Sequence, residues 1–179
     1  MNFDEANRVL NELYRLCPKI EFFEWNHEYR LEKLLRKNPE LYGLRCLEMK
    51  NLLFLPKRNI PYHRYLDAPY KYYSLQIHHG NIIRKYSGWT AKALFEKYAG
   101  CGICGHSHRG DNFLKRNTQG IWGWYENMCM CNLNPEYQDF VDWIQGFSVA
   151  YFTKKDLFHL EQIPIIEHKF LFNGKLFMN

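Results

Sequence analysis

Three short segments of this 179-residue chain carry side chains that bind metals: Asn26-His27-Glu28, His78-His79-Gly80 and Gly105-His106-Ser107-His108. Imidazole nitrogens joined by an amide oxygen form a donor set that suits Zn, Mn, Fe or Ni rather than Ca or Mg. His106 and His108 are two residues apart, so in an extended segment both rings would point the same way. Gly105 allows the backbone a tight turn just before them. A lone histidine is an ordinary surface or core residue. The joint occurrence is what points to a site, because function requires ligands that converge.

The elements flanking these segments follow one pattern. Residues 5–16 are predicted as an amphipathic helix with Val9, Leu10, Leu13 and Leu16 on one face and Pro18 closing it. Residues 20–25 are predicted as a short strand ending at Asn26, and residues 28–38 as a second helix. Leu52 to Leu55 is a predicted strand that stops at Pro56, and Tyr72 to Ile77 another that ends at His78. Residues 89–98 form a predicted helix, and Gly100 to Cys104 a small-residue strand ending at Gly105. A histidine or asparagine thus follows the end of a predicted strand three times. Ligands in α/β proteins gather beyond the carboxyl ends of strands, and three strands sharing a direction would bring these loops together. Further on, 121–125 and 146–153 are predicted strands with a short helix near 137–144 between them. The Asn173-Gly174 pair between apolar runs is a hairpin signal. The fold class expected is α/β, one domain over 1–179, with an antiparallel extension at the C-terminus.

The order Asn-His-Glu, then His-Gly, then Gly-His-Ser-His resembles the last three blocks of the calcineurin-like metallophosphoesterases. Trp25-Asn26-His27-Glu28, His79-Gly80 and Gly105-His106-Ser107-His108 carry the likeness, with Arg30-Leu31 and Arg109 continuing it. The segments Trp124 to Asn127, Asn134 to Tyr137, Trp143 and Gly146-Phe147 resemble compact versions often encoded by bacteriophages. The resemblance implies a metallophosphoesterase-like β-sandwich flanked by helices and metal-dependent hydrolysis of a phosphomonoester or phosphodiester. It implies that Asn26, His79 and His106 hold one divalent transition metal, Mn, Zn, Fe or Ni, and that His108 helps hold a second. His27 would contact the phosphate and protonate the leaving group. His78 is the alternative to His79 as the ligand of the middle block.

The family's opening blocks, Asp-x-His and Gly-Asp-x-x-Asp, do not occur here, so the expected domain is shortened at its N-terminus relative to the family. The missing blocks carry the carboxylate that bridges two cations roughly 4 Å apart. What remains is a set of neutral ligands, so one ion or two is open. Glu24, Glu28 or Asp111 could stand in, or a complementing chain or second copy could supply the carboxylates. Trp25 replaces the family's glycine.

Composition narrows the alternatives. A net charge of +5, from 24 basic and 19 acidic residues, suits a phosphate-bearing substrate and falls short of a nucleic-acid footprint. No apolar run approaches the roughly 18 residues of a spanning helix, and the first residues lack a signal-peptide pattern. The expected location is cytoplasmic, the host cytoplasm for a phage protein. Six cysteines without an export signal point to free thiols or metal ligands. Cys101-x-x-Cys104 has the spacing of a zinc knuckle with Cys129-x-Cys131 as its possible partner, set against burial as small apolar residues. A catalytically inactive phosphoesterase-like protein that binds a host protein or nucleic acid is the alternative to an enzyme.

Overall fold

The computed structural model describes residues 2–136, 140–154 and 157–178. The chain divides into two compact units, Met1–Asp67 and Ala68–Asn179, where the sequence reading has one domain. No helix among the described residues is long and apolar enough to cross a membrane.

The first unit opens with α1 (Phe3–Leu16), whose start is set by Asn2: its side-chain oxygen accepts from the Asp4 and Glu5 amides at 3.1 and 3.3 Å. The packed stripe is Phe3, Ala6 and Leu10, while Val9, Leu13 and Leu16 stay exposed. The reason is polar. Asn7 and Asn11, one turn apart, face the buried Arg58, whose guanidinium donates to both side-chain oxygens and to the Asn7 and Leu53 carbonyls. Satisfying that cation rotates the helix away from its most apolar face.

Strand β1 is only Phe22–Phe23 and pairs in parallel with β2 (Tyr62–His63). Helix α2 (Tyr29–Arg36) follows the Asn26 turn. Leu52 to Leu55 is not a strand. Helix α3 (Met49–Leu52) runs into a turn in which the Leu53 and Leu55 amides bond back to Met49 and Lys50. Four apolar residues in a row carry no period, and here local bonds win over sheet pairing. The core gathers Leu10, Met49, Leu53, Leu55 and Ile60.

The second unit is built on a mixed five-stranded sheet. Its strands are β3 (Tyr70–Tyr72), β4 (Leu75–His78), β5 (Cys101–Cys104), β6 (Asp111–Asn117) and β7 (Gly120–Glu126), in the order β3-β4-β5-β7-β6. The three inner strands are parallel, and each outer strand is antiparallel to its neighbour. Helix α4 (Trp89–Tyr98), as the sequence predicts, links β4 to β5 and packs on β5, β6 and β7. Ala91, Leu94, Cys104 and Trp124 form the core between helix and sheet. The predicted strand from Tyr72 is in fact a hairpin that turns at Tyr73, which has φ +52°. Its turn holds no Gly or Asn to announce it.

Two antiparallel hairpins complete the unit: β8 (Gly146–Lys154) with β9 (Leu157–Pro164), and β10 (Lys169–Phe172) with β11 (Lys175–Met178). The C-terminal extension is therefore antiparallel, as expected. Asn173 and Gly174 adopt φ +49° and +69°, the two left-handed residues of a type I′ turn. Of the helix expected near 137–144, residues 137–139 lie outside the described residues, and 140–144 are not helical.

Candidate metal centre

Because β4, β5 and β7 are parallel and in register, His78, Cys104 and Glu126 end side by side. The next residues of each strand, His79-Gly80, Gly105 to His108 and Asn127 to Cys131, therefore leave from one edge of the sheet. The Asn127 amide donates to the Cys104 carbonyl, extending the ladder one step beyond β7.

At that edge His79 Nε2 lies 3.2 Å from His106 Nδ1. Two nitrogens held by one transition metal at about 2.1 Å, with an angle near 90–110°, are about 3.0–3.4 Å apart. The same pair forms a ring-to-ring hydrogen bond when no ion is held. Glycine suits the approach at position 80, where the backbone is left-handed and the space is tight, whereas at position 105 a side chain would make only ordinary contact. A Cβ on Gly80 (φ +99°) would meet His106 Cβ at 3.3 Å, and one on Gly105 would meet His79 Nδ1 at 3.4 Å.

His78 turns the other way. Its Nδ1 accepts from the Gly80 amide at 2.9 Å, and its ring meets Tyr98 and Trp124 edge-on. Burial, helped by Lys97, holds its pKa down to about 4, so it stays neutral. The neighbour that meets His106 is thus His79.

His106 and His108 do not lie in an extended segment. Both are in the left-handed region, φ +65° and +60°, with the Ser107 amide bonded to the Gly105 carbonyl between them. Non-glycine residues pay for that conformation, and it sends the two rings to different partners. His106 goes to His79. His108 Nδ1 lies 3.7 Å from Cys131 Sγ and its ring packs edge-on against Trp143. His108, Cys129 and Cys131 place their ligand atoms within 4.8 Å of one another, the one such group of three His, Cys, Asp or Glu among the described residues. Burial and the adjacent Cys129 thiol push the Cys131 thiol up.

The loops are tied down. The Ile144 amide donates to the His108 carbonyl, and the Cys129 amide donates to the Ile144 carbonyl. Gln145 Nε2 donates to the Cys131 carbonyl at 2.7 Å. Arg109 joins the Arg84 carbonyl to the Asp142 carboxylate. Glu126, fully buried, accepts from the Ala91 amide and so caps α4 from the sheet.

Cys101 and Cys104 form no knuckle. They are three residues apart in a strand, so they face opposite sides of the sheet. Cys104 packs under α4, where burial drives its thiol strongly upward. The partner of Cys129 and Cys131 is instead His108. Sequence reasoning missed that grouping, and its signal was the Cys129-x-Cys131 pair just past a strand end.

Asn26 and His27 belong to the first unit, in the turn between β1 and α2. His27 is exposed; the burial it does have, and Arg30, lower its pKa. Glu28 Oε2 accepts from the Trp25 amide at 3.0 Å and closes the turn that presents both residues. Glu24 accepts from the Tyr65 amide, and Asp111 from the Asn112 amide. All three carboxylates proposed as stand-in ligands therefore already serve the backbone. Glu24 and Glu28 also line a cavity of about 380 Å³ with Tyr62 and Arg64.

No protein-family model, curated protein or solved structure matches the chain.

Proposed function

We propose that the chain is a metal-dependent phosphoric ester hydrolase of the calcineurin-like type, acting with carboxylates supplied by a complementing chain or a second copy. The observation that carries this reading is the His79 to His106 contact of 3.2 Å at the ends of two adjacent parallel strands. It joins the second and third blocks of the resemblance through the two imidazoles that the resemblance assigns to one ion.

In this reading His79 Nε2 and His106 Nδ1 hold a Mn, Zn, Fe or Ni ion. The ion, when bound, supplies Lewis acidity toward water and phosphate. The substrate is a phosphomonoester or phosphodiester, nucleic acid included.

The test is hydrolysis of an aryl phosphodiester and an aryl monoester by the full chain with Mn²⁺ or Ni²⁺. The chain is assayed alone and with a second chain bearing the Asp-x-His and Gly-Asp-x-x-Asp blocks. Activity that appears or rises on complementation, and is lost in His79→Ala and His106→Ala, supports the reading. Activity indifferent to both substitutions, or none under any condition, refutes it.

A further inference from the structure

We infer that His108, Cys129 and Cys131 form a separate binding site for a soft divalent cation, Zn²⁺ by preference. It is independent of the His79 and His106 pair and does not rest on the hydrolase reading.

The geometry is that of a chelate waiting to contract. In a tetrahedral zinc site with Zn–S near 2.3 Å and Zn–N near 2.0–2.1 Å, the sulfur and nitrogen are about 3.6 Å apart. His108 Nδ1 and Cys131 Sγ are 3.7 Å apart already. The three ligand atoms lie within 4.8 Å of one another, so shifts well under a residue's width close the set. Met130, between the two cysteines, is exposed, while Cys129 is buried and Cys131 half-buried. The alternation of an extended segment thus turns both sulfurs to the same side.

The supports are of the kind that orient ligands. Trp143 packs edge-on against the His108 ring at 4.6 Å between centroids. Backbone bonds join His108 to Ile144, Ile144 to Cys129, and Cys129 to Gly146, so the three ligands share one frame. Gln145 fixes the Cys131 carbonyl. Met128, buried, fills the space that Gly110 and Gly146 leave open and anchors the loop from beneath. His108 also holds a left-handed backbone, φ +60°, a strain tolerated only where the surroundings insist on it.

Two thiols with one imidazole select zinc or cobalt over magnesium and calcium. Binding replaces two S–H bonds with two sulfur–metal bonds and releases two protons to solvent, with no change of oxidation state. Three protein donors leave one tetrahedral corner for water or an exogenous oxygen or nitrogen ligand. The ligand set also reassigns His108, which the family resemblance gives to a second ion of a dinuclear pair.

The experiment is titration of the chelator-stripped, reduced full chain with Co²⁺, followed by displacement with Zn²⁺. The expected result is a thiolate-to-cobalt charge-transfer band that saturates at one ion per chain and is abolished by Zn²⁺. In Cys131→Ser and in Cys129→Ser the band is lost. In His108→Gln it persists with affinity reduced by more than the roughly 10–100-fold that loss of an outer-shell partner costs. Cys101→Ser leaves it intact, and so does His79→Ala with His106→Ala, which separates this site from the hydrolase reading. Far-ultraviolet circular dichroism checks folding of each variant. As a second readout in the unsubstituted protein, Zn²⁺ should protect Cys129 and Cys131 from alkylation, mapped by mass spectrometry. No charge-transfer band at saturating Co²⁺, or a band that survives in the Cys129→Ser, Cys131→Ser double variant, would overturn the proposal.

Discussion

Gly102 offers the sharpest test of how the sheet positions this edge. It is paired with Trp124 across β5 and β7, and the indole lies flat over the position where a side chain would be. A Cβ there would meet three ring atoms at 2.5 to 2.6 Å. Carbon atoms in contact prefer about 3.5–4.0 Å, so the ring would have to retreat by about 1 Å. It has nowhere to go. Trp124 is fully buried, stacked on Tyr98 with His78 against it edge-on. Overpacking of this kind costs about 1–3 kcal/mol. The backbone of Gly102 is not left-handed, so alanine also gains about 0.4–1 kcal/mol from the unfolded chain. Gly102→Ala should therefore destabilise the second unit by about 1–2 kcal/mol. Trp124→Ala alone should cost about 3–5 kcal/mol. Combined, the two should cost less than their sum by about 1–3 kcal/mol, because the methyl no longer meets a ring. Hydrogen exchange of the β5 and β7 amides reads this locally, without requiring both units to unfold together. Relief of the strain by spreading β5 from β7 would displace His108 from the Cys129 loop, so cobalt affinity should fall alongside. Strict additivity in the cycle, or a Gly102→Ala protein with unchanged exchange, would refute the reasoning.

Arg58→Met should destabilise the first unit by about 3 kcal/mol, because the buried Leu53 carbonyl and the half-buried Asn7 carbonyl lose their donor. Arg58→Lys should recover only part of that, since an ammonium cannot reproduce the fork that grips Asn7 and Asn11; exchange of the α1 amides measures both. Thiol labelling of the folded, metal-free protein should modify the exposed Cys46 first and the buried Cys104 last, with denaturant abolishing the difference. A Cys104 that reacts as fast as Cys46 without denaturant would contradict the packing of α4 over β5.

Local chemistry was readable from the residues alone. The end of α1 at Leu16, the extent of α4 and the Asn173-Gly174 hairpin depend on contacts within a few residues, and such contacts are written in the order of the side chains. So was the recurrence of histidine just past strand ends. Tertiary structure decided the rest, because it turns on which strands lie side by side and in what register. The turn at Tyr73 and the strands β6 and β9 exist through pairing with partners that no local pattern names. Only the β4-β5 register shows that His79, not His78, meets His106. Only the left-handed backbone at residues 106 and 108 sends two histidines, two positions apart, to different partners. Cys129 and Cys131 find His108 rather than Cys101 and Cys104 for the same reason. A strand's alternation splits Cys101 from Cys104 across the sheet, while the parallel end of β7 delivers the later pair to the edge where His108 already stands.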